Sequence, residues 1–87
     1  MDIQVRLFGA FRDYAQVPVL PFQCEPGIRV KELRQKMRQH LLDSLPNSNA
    51  EALLEQSVFA NERAVLNEDH VLESSQELAI IPPVCGG

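Results

Sequence analysis

Val30-Lys31-Glu32-Leu33-Arg34-Gln35-Lys36-Met37-Arg38-Gln39-His40-Leu41-Leu42 places Val30, Leu33, Met37 and Leu41 at steps of three and four residues. That spacing returns an apolar side chain to the same face of a helix turn after turn. Lys31, Arg34, Lys36 and Arg38 fill the other faces, and no proline interrupts them. The run therefore predicts a helix over 30–42 with one stripe to bury. Arg29 stands at its start, where a Ser, Thr or Asp cap is the usual choice. Asp43-Ser44-Leu45-Pro46-Asn47 ends it.

On the N-terminal side the pattern changes to alternation. Ile3, Val5 and Leu7 fall on one face of a strand, and Gln4, Arg6 and Phe8 on the other. Gly9-Ala10 interrupts it, and 11–15 holds only a turn or two of helix. Residues 17–24 form a second strand with Leu20, Phe22 and Cys24 on one face. Pro18 and Pro21 donate nothing to a ladder and put that strand at a sheet edge. Pro26-Gly27 marks a turn.

On the C-terminal side, 49–56 reads as a short helix and Ser57-Val58-Phe59-Ala60 as a third strand. Asn61-Glu62-Arg63 is its turn, and Ala64-Val65-Leu66 a short fourth strand. Glu77-Leu78-Ala79-Ile80-Ile81 is the last, stopped by Pro82-Pro83, which lack the N–H a ladder needs. This order gives an α+β protein, a mixed sheet with the 30–42 helix across one face. With the first and last strands side by side, Ile3, Val5, Leu7, Leu78 and Ile80 face the helix. Phe8 and Ile81 then meet on the far face, where paired exposed apolar residues suggest a partner surface.

The 87 residues, 45% hydrophobic and 23% charged, make one globular domain over 1–81 with a tail over 82–87. A domain this small buries only roughly 60–65% of its unfolded surface. Little room remains for a core and an enclosed active site together, which favours a binding module or carrier. A net charge of −4 argues against a general nucleic-acid binder. Residues 1–42 carry seven basic and four acidic side chains (+3), and 43–87 one basic and eight acidic (−7). This segregation reads either as a solvated surface or as steering toward a basic partner.

Two cysteines are too few for a disulfide framework, and neither a secretory signal nor a membrane-spanning run is visible. The expectation is a reduced, cytoplasmic protein without membrane attachment. Cys24 reads as a small buried residue. His40 with Asp43, and His70 beside Glu68 and Asp69, lack the partners that a hydrolase or a metal site needs. No metal site, bound cofactor or autonomous catalytic site is expected.

The chemistry lies in Pro82-Pro83-Val84-Cys85-Gly86-Gly87. Pro82-Pro83 favours a stiff, extended exit from the sheet, and the six residues span at most roughly 20 Å. Gly86 and Gly87, without side chains, can thread a passage too narrow for other residues. Such a tail delivers its carboxylate into another protein's pocket. A free α-carboxyl is anionic at neutral pH and resists nucleophiles. Adenylation with ATP by a second enzyme activates it for attack by sulfur, giving a thiocarboxylate, or by an amine, giving an amide.

This tail, the opening Val5-Arg6-Leu7-Phe8-Gly9-Ala10-Phe11-Arg12-Asp13-Tyr14-Ala15 and the helix between them resemble the small subunit of molybdopterin synthase, over the whole chain. The Pro-Pro-Val-x-Gly-Gly ending fits that family better than the thiazole-pathway sulfur carrier. The resemblance implies a ubiquitin-like β-grasp fold. It further implies that Gly87 is adenylated by a ubiquitin-activating-type enzyme and thiocarboxylated. Pro83, Val84, Cys85 and Gly86 would follow it into the large subunit, where sulfur passes to the pterin precursor. Phe8, Ile81 and, more loosely aligned, Val65 would meet that partner. Cys85 is not expected to act as a nucleophile. The competing functions are a sulfur carrier for another pathway, a ubiquitin-like protein modifier, and a plain interaction module.

Overall fold

In the first strand, β1 (Asp2–Leu7), exposed and buried residues alternate without a break, and Ile3, Val5 and Leu7 are closed off from solvent. The computed structural model describes residues 1–83; the expectations for Val84, Cys85, Gly86 and Gly87 lie outside the described residues. After β1 come α1 (Ala10–Ala15), β2 (Val19–Gln23), β3 (Ile28–Arg29) and α2 (Val30–Ser44). The second half adds α3 (Ala50–Glu55), β4 (Val58–Ala60), β5 (Val71–Leu72) and β6 (Gln76–Ile81).

The main sheet has four strands in the order β2-β1-β6-β4. Its central pair is parallel, with Val5 opposite Leu78 and Leu7 opposite Ile80, and both outer pairs are antiparallel. This register sends Leu78 and Ile80 to the same face as Ile3, Val5 and Leu7. Val30, Leu33, Met37 and Leu41 of α2 close over that face, and Phe11, Leu54, Phe59 and Leu72 complete the core. Each large side chain buried there contributes about 1.5–3 kcal/mol.

Arg34 ties this helix to the second half of the chain. Its guanidinium grips Glu68 through Nε at 2.9 Å and Nη2 at 2.7 Å, and its Nη1 donates to the Leu54 carbonyl. It also lies 5.2 Å from the centre of the buried Phe59 ring. Lys31 pairs with Asp69, and Arg38 with Glu51 and Glu55. Much of the charge segregated along the sequence is therefore neutralised across the fold, which leaves less of it for steering.

Some elements differ from their expected form. α2 runs to Ser44, two residues past the expected end, because Leu41 is still buried and the Leu45 N–H closes on its carbonyl at 2.7 Å. Its start is capped after all: the Glu32 carboxylate accepts from the Arg29 N–H at 3.0 Å. The Arg29 side chain, which has no acceptor, instead donates to the Asp69 carbonyl. β2 begins at Val19 because Gln16, left-handed at φ 60°, turns the chain just before it.

Ala64-Val65-Leu66 does not become a strand; only a single bridge, Ala60 with Val65, forms. The Asn61 carboxamide accepts from the Arg63 and Ala64 N–H groups and closes a tight turn, so the chain lies beside β4 too briefly to pair further. The antiparallel pair of β3 and β5 was not foreseen in the sequence.

β2 is the expected edge strand. The bonds Leu7 N–H to Pro18 O and Cys24 N–H to Met1 O fix its phase and turn the Pro21 nitrogen away from β1. Among the described residues no helix is long and apolar enough to cross a membrane.

Candidate functional site: the open sheet face and the root of the tail

The face of the sheet turned away from α2 is not uniform. At the end where β6 leaves the sheet, Phe8, Ile81 and Val58 are 44%, 40% and 39% exposed. Val58 and Ile81 are direct partners in the β4–β6 ladder. Phe8 follows Leu7, whose partner Ile80 precedes Ile81, so Phe8 stands on the other flank of Ile81. Three large apolar side chains thus form one row across three strands' ends. They sit immediately before Pro82, at the root of the tail.

Gly9 fixes how the tail leaves. Its backbone, at φ 58° and ψ −135°, is in a region that only glycine adopts readily. A Cβ there would stand 3.1 Å from Cγ of Pro82. The β1–α1 turn and the first tail residue therefore pack closely because this position has no side chain. Pro83 is half-buried beyond it.

Of the residues expected at the partner surface, the structure brings Phe8 and Ile81 together. Val65 is 61% exposed and is bridged to Ala60, two residues along β4 from the Val58–Ile81 pair. Val58 belongs to the row and was missed. A strand assignment for 57–60 without its register gives no way to know that Val58, and not Phe59, faces outward. The charged end of the face carries Arg6, whose Nη2 pairs with Glu77 at 2.7 Å.

The remaining candidates fall elsewhere. Cys24 is buried, and desolvation pushes its thiol above the ordinary range against the weaker opposing pull of Lys36 and the N-terminal ammonium. A protonated, enclosed thiol is a packing group. The His40 and Phe22 rings stand nearly perpendicular, with centres 5.9 Å apart. His70 is engaged through its backbone, which receives the Val30 N–H and donates to Asn67. Among the described residues no three His, Cys, Asp or Glu side chains gather into a metal-binding group.

A four-stranded mixed sheet clasping one main helix is the ubiquitin-like β-grasp fold, and solved structures share it. The ThiS family matches residues 5–87. A putative molybdopterin converting factor subunit 1 from Pyrococcus furiosus is 18% identical with a TM-score of 0.72, over 97% of this chain and 99% of that one. The small archaeal modifier protein SAMP1 of Haloferax volcanii is 17% identical with a TM-score of 0.73, over 100% of both chains. A complex of subunits 1 and 2 of molybdopterin-converting factor from Helicobacter pylori contains a chain 22% identical with a TM-score of 0.65, over 100% of both. No curated protein matches the sequence at a significant level.

Proposed function

Because the chain belongs to the ThiS family of ubiquitin-like sulfur carriers, we propose that it is the sulfur-donating small subunit of a molybdopterin synthase. The observation that carries this reading is the apolar row of Phe8, Ile81 and Val58 at the root of a Gly-Gly tail. A docking face set beside an extended tail lets one binding event both hold the domain and deliver the chain end. The Pro82-Pro83-Val84-Cys85-Gly86-Gly87 ending supports this subunit over a carrier for thiazole synthesis. The Helicobacter pylori complex of subunits 1 and 2 supports a large-subunit partner.

The chemistry proceeds in three exchanges. The Gly87 carboxylate attacks the α-phosphorus of ATP in a ubiquitin-activating-type enzyme, expels pyrophosphate and becomes an acyl-adenylate. Hydrosulfide then attacks the carbonyl carbon and expels AMP, leaving a thiocarboxylate. In the large subunit the sulfur passes to the pterin precursor, and water restores the carboxylate. The domain itself holds no cofactor; ATP serves the activating enzyme. Catalytic side chains belong to the partners, and the reduced cytoplasm suits a thiocarboxylate.

The test is the intact mass after incubation with the cognate adenylating enzyme, ATP and a sulfide source. The expected result is a gain equal to one oxygen exchanged for sulfur. The similarity to an archaeal modifier protein favours one second reading, a modifier joined to target amines. That reading predicts no sulfur gain but adducts to other proteins through Gly87, and an unchanged mass without adducts overturns both.

The docking face has its own test. Phe8→Asp forces a carboxylate into the apolar contact, and an unpaired buried charge costs about 3–5 kcal/mol. Binding to the large subunit, followed by titration, is expected to weaken by at least about a hundredfold. The melting temperature should stay near that of the wild type, because Phe8 is exposed in the free domain. Tight binding by this variant would exclude the face.

A further inference from the structure

Two residues along the strands from the Val58–Ile81 pair, the open face sinks. Ala60 and Ala79 are partners in the β4–β6 ladder, and Arg6 flanks Ala79 from β1. Large or β-branched side chains are favoured on strands. Two methyl groups leave instead a hollow of about 180 Å³, walled by Arg6, Glu77, Asn61 and Glu62. The wall at Asn61 is fixed, since its carboxamide oxygen already holds the Arg63 and Ala64 N–H groups.

The hollow is apolar below and unevenly charged at its rim. Arg6 is engaged with Glu77, with Nη2 and Nε at 2.7 and 2.8 Å from Oε1. No cation of the described residues pairs with Glu62. Among the residues that wall the hollow one carboxylate is therefore in excess, Arg63 lining the adjoining depression instead. The apolar row begins only about 7 Å away, two residues at the strand rise, so a partner seated on that row must also cover the hollow. A purely apolar side chain in it would strand Glu62 away from water without a counter-charge. An acidic one would be repelled.

We infer that the partner on this face inserts one long basic side chain, arginine or lysine, into the hollow. Its aliphatic stem lies over Ala60 and Ala79, and its cationic head reaches Glu62, as such side chains do when an apolar surface ends at a polar rim. This deepens the proposed function and rests on it: the partner is the large subunit, recognised by an apolar contact with a single positive charge set two residues from it.

Calorimetric titration of the cognate large subunit at low and high salt tests the inference, with wild type, Ala79→Leu, Glu62→Gln and Phe8→Asp compared and thermal melts as folding controls. Ala79→Leu fills the hollow and should weaken binding about tenfold at both salt concentrations. Glu62→Gln should weaken it about threefold at low salt and flatten the salt dependence. If both bind like wild type while Phe8→Asp does not, the inserted side chain is overturned and the docking face stands. If Phe8→Asp also binds like wild type, the face falls and the inference with it. An effect of Ala79→Leu without one of Glu62→Gln means an apolar occupant and overturns the basic one. The converse, a Glu62 effect alone, overturns insertion. Should Ala79→Leu fail to fold, Ala79→Val, a smaller filling that strands favour, takes its place in the same comparison.

Discussion

A chain ending at Gly86 is expected to fold normally and to gain no sulfur at all. Among the described residues the core runs from Ile3 to Ile80, and a glycine carries no side chain to bury, so the shortened chain is expected to keep its fold. The effect falls on reach. One residue of extended chain is about 3.3–3.6 Å, which is more than an in-line attack on the α-phosphorus of ATP tolerates, since reacting atoms must already stand about 3–3.5 Å apart. Mass spectrometry after incubation with the activating enzyme, ATP and sulfide should therefore show only the starting mass, beside a wild-type sample that converts. Thermal unfolding of the shortened chain should coincide with that of the wild type. Conversion of the shortened chain would mean that the activating site accepts a carboxylate displaced by a whole residue, and the carrier mechanism through Gly87 would have to be abandoned.

Phe59→Ala should be the most damaging single substitution in the domain itself. Phe59 is fully buried in β4, opposite Ile80, with the Arg34 guanidinium stacked 5.2 Å from its ring centre. Truncation removes the ring's transfer energy and leaves a cavity, together about 3–5 kcal/mol. The lost stacking of Arg34 adds about 0.5–2 kcal/mol. A chain of this length has about 4–13 kcal/mol of total stability, so the loss is a large share of the whole. The melting temperature, followed by circular dichroism, should fall by about 15–30 °C. Arg34→Met, which keeps the stem and leaves the ring packed, should cost far less. A Phe59→Ala protein melting within a few degrees of wild type would contradict the packing of β4 against α2.

What could be read from the residues alone follows a simple physical division. β1 and β6 were legible because one side chain in two is buried, and a slip by one residue would reverse the whole pattern. The Val30–Leu41 stripe was legible for the same reason at helical period. From these two patterns Phe8 and Ile81 could be paired before any coordinates, because register on one face dictates neighbours on the other. Ile28–Arg29 and Val71–Leu72 could not be found: a two-residue strand has no period, and each exists only because the other is beside it. Ala64-Val65-Leu66 looked like a strand by composition, yet the Asn61 turn leaves it one bridge.

The cap at Arg29 shows a different gap, since the group that satisfies the helix end belongs to Glu32. Looking three residues on for a carboxylate would have found it. The hollow over Ala60 and Ala79 was beyond reach for another reason. It requires knowing that two alanines far apart in the chain are ladder partners, and nothing local to either says so.

Pro21 bears on how the protein behaves in a crowded solution. Any sheet with free edges invites another sheet to continue it, and on the function proposed above a carrier lost into such stacks could not pass between its partners. At β2 the outward position between Val19 and Gln23 has no hydrogen to offer, so an approaching strand meets an interrupted row of donors. Recognition by strand addition is discouraged at this edge in favour of side-chain contact on the face. By discouraging pairing at this edge, the same proline would, on the proposed function, favour contact at the face beside the root of the tail.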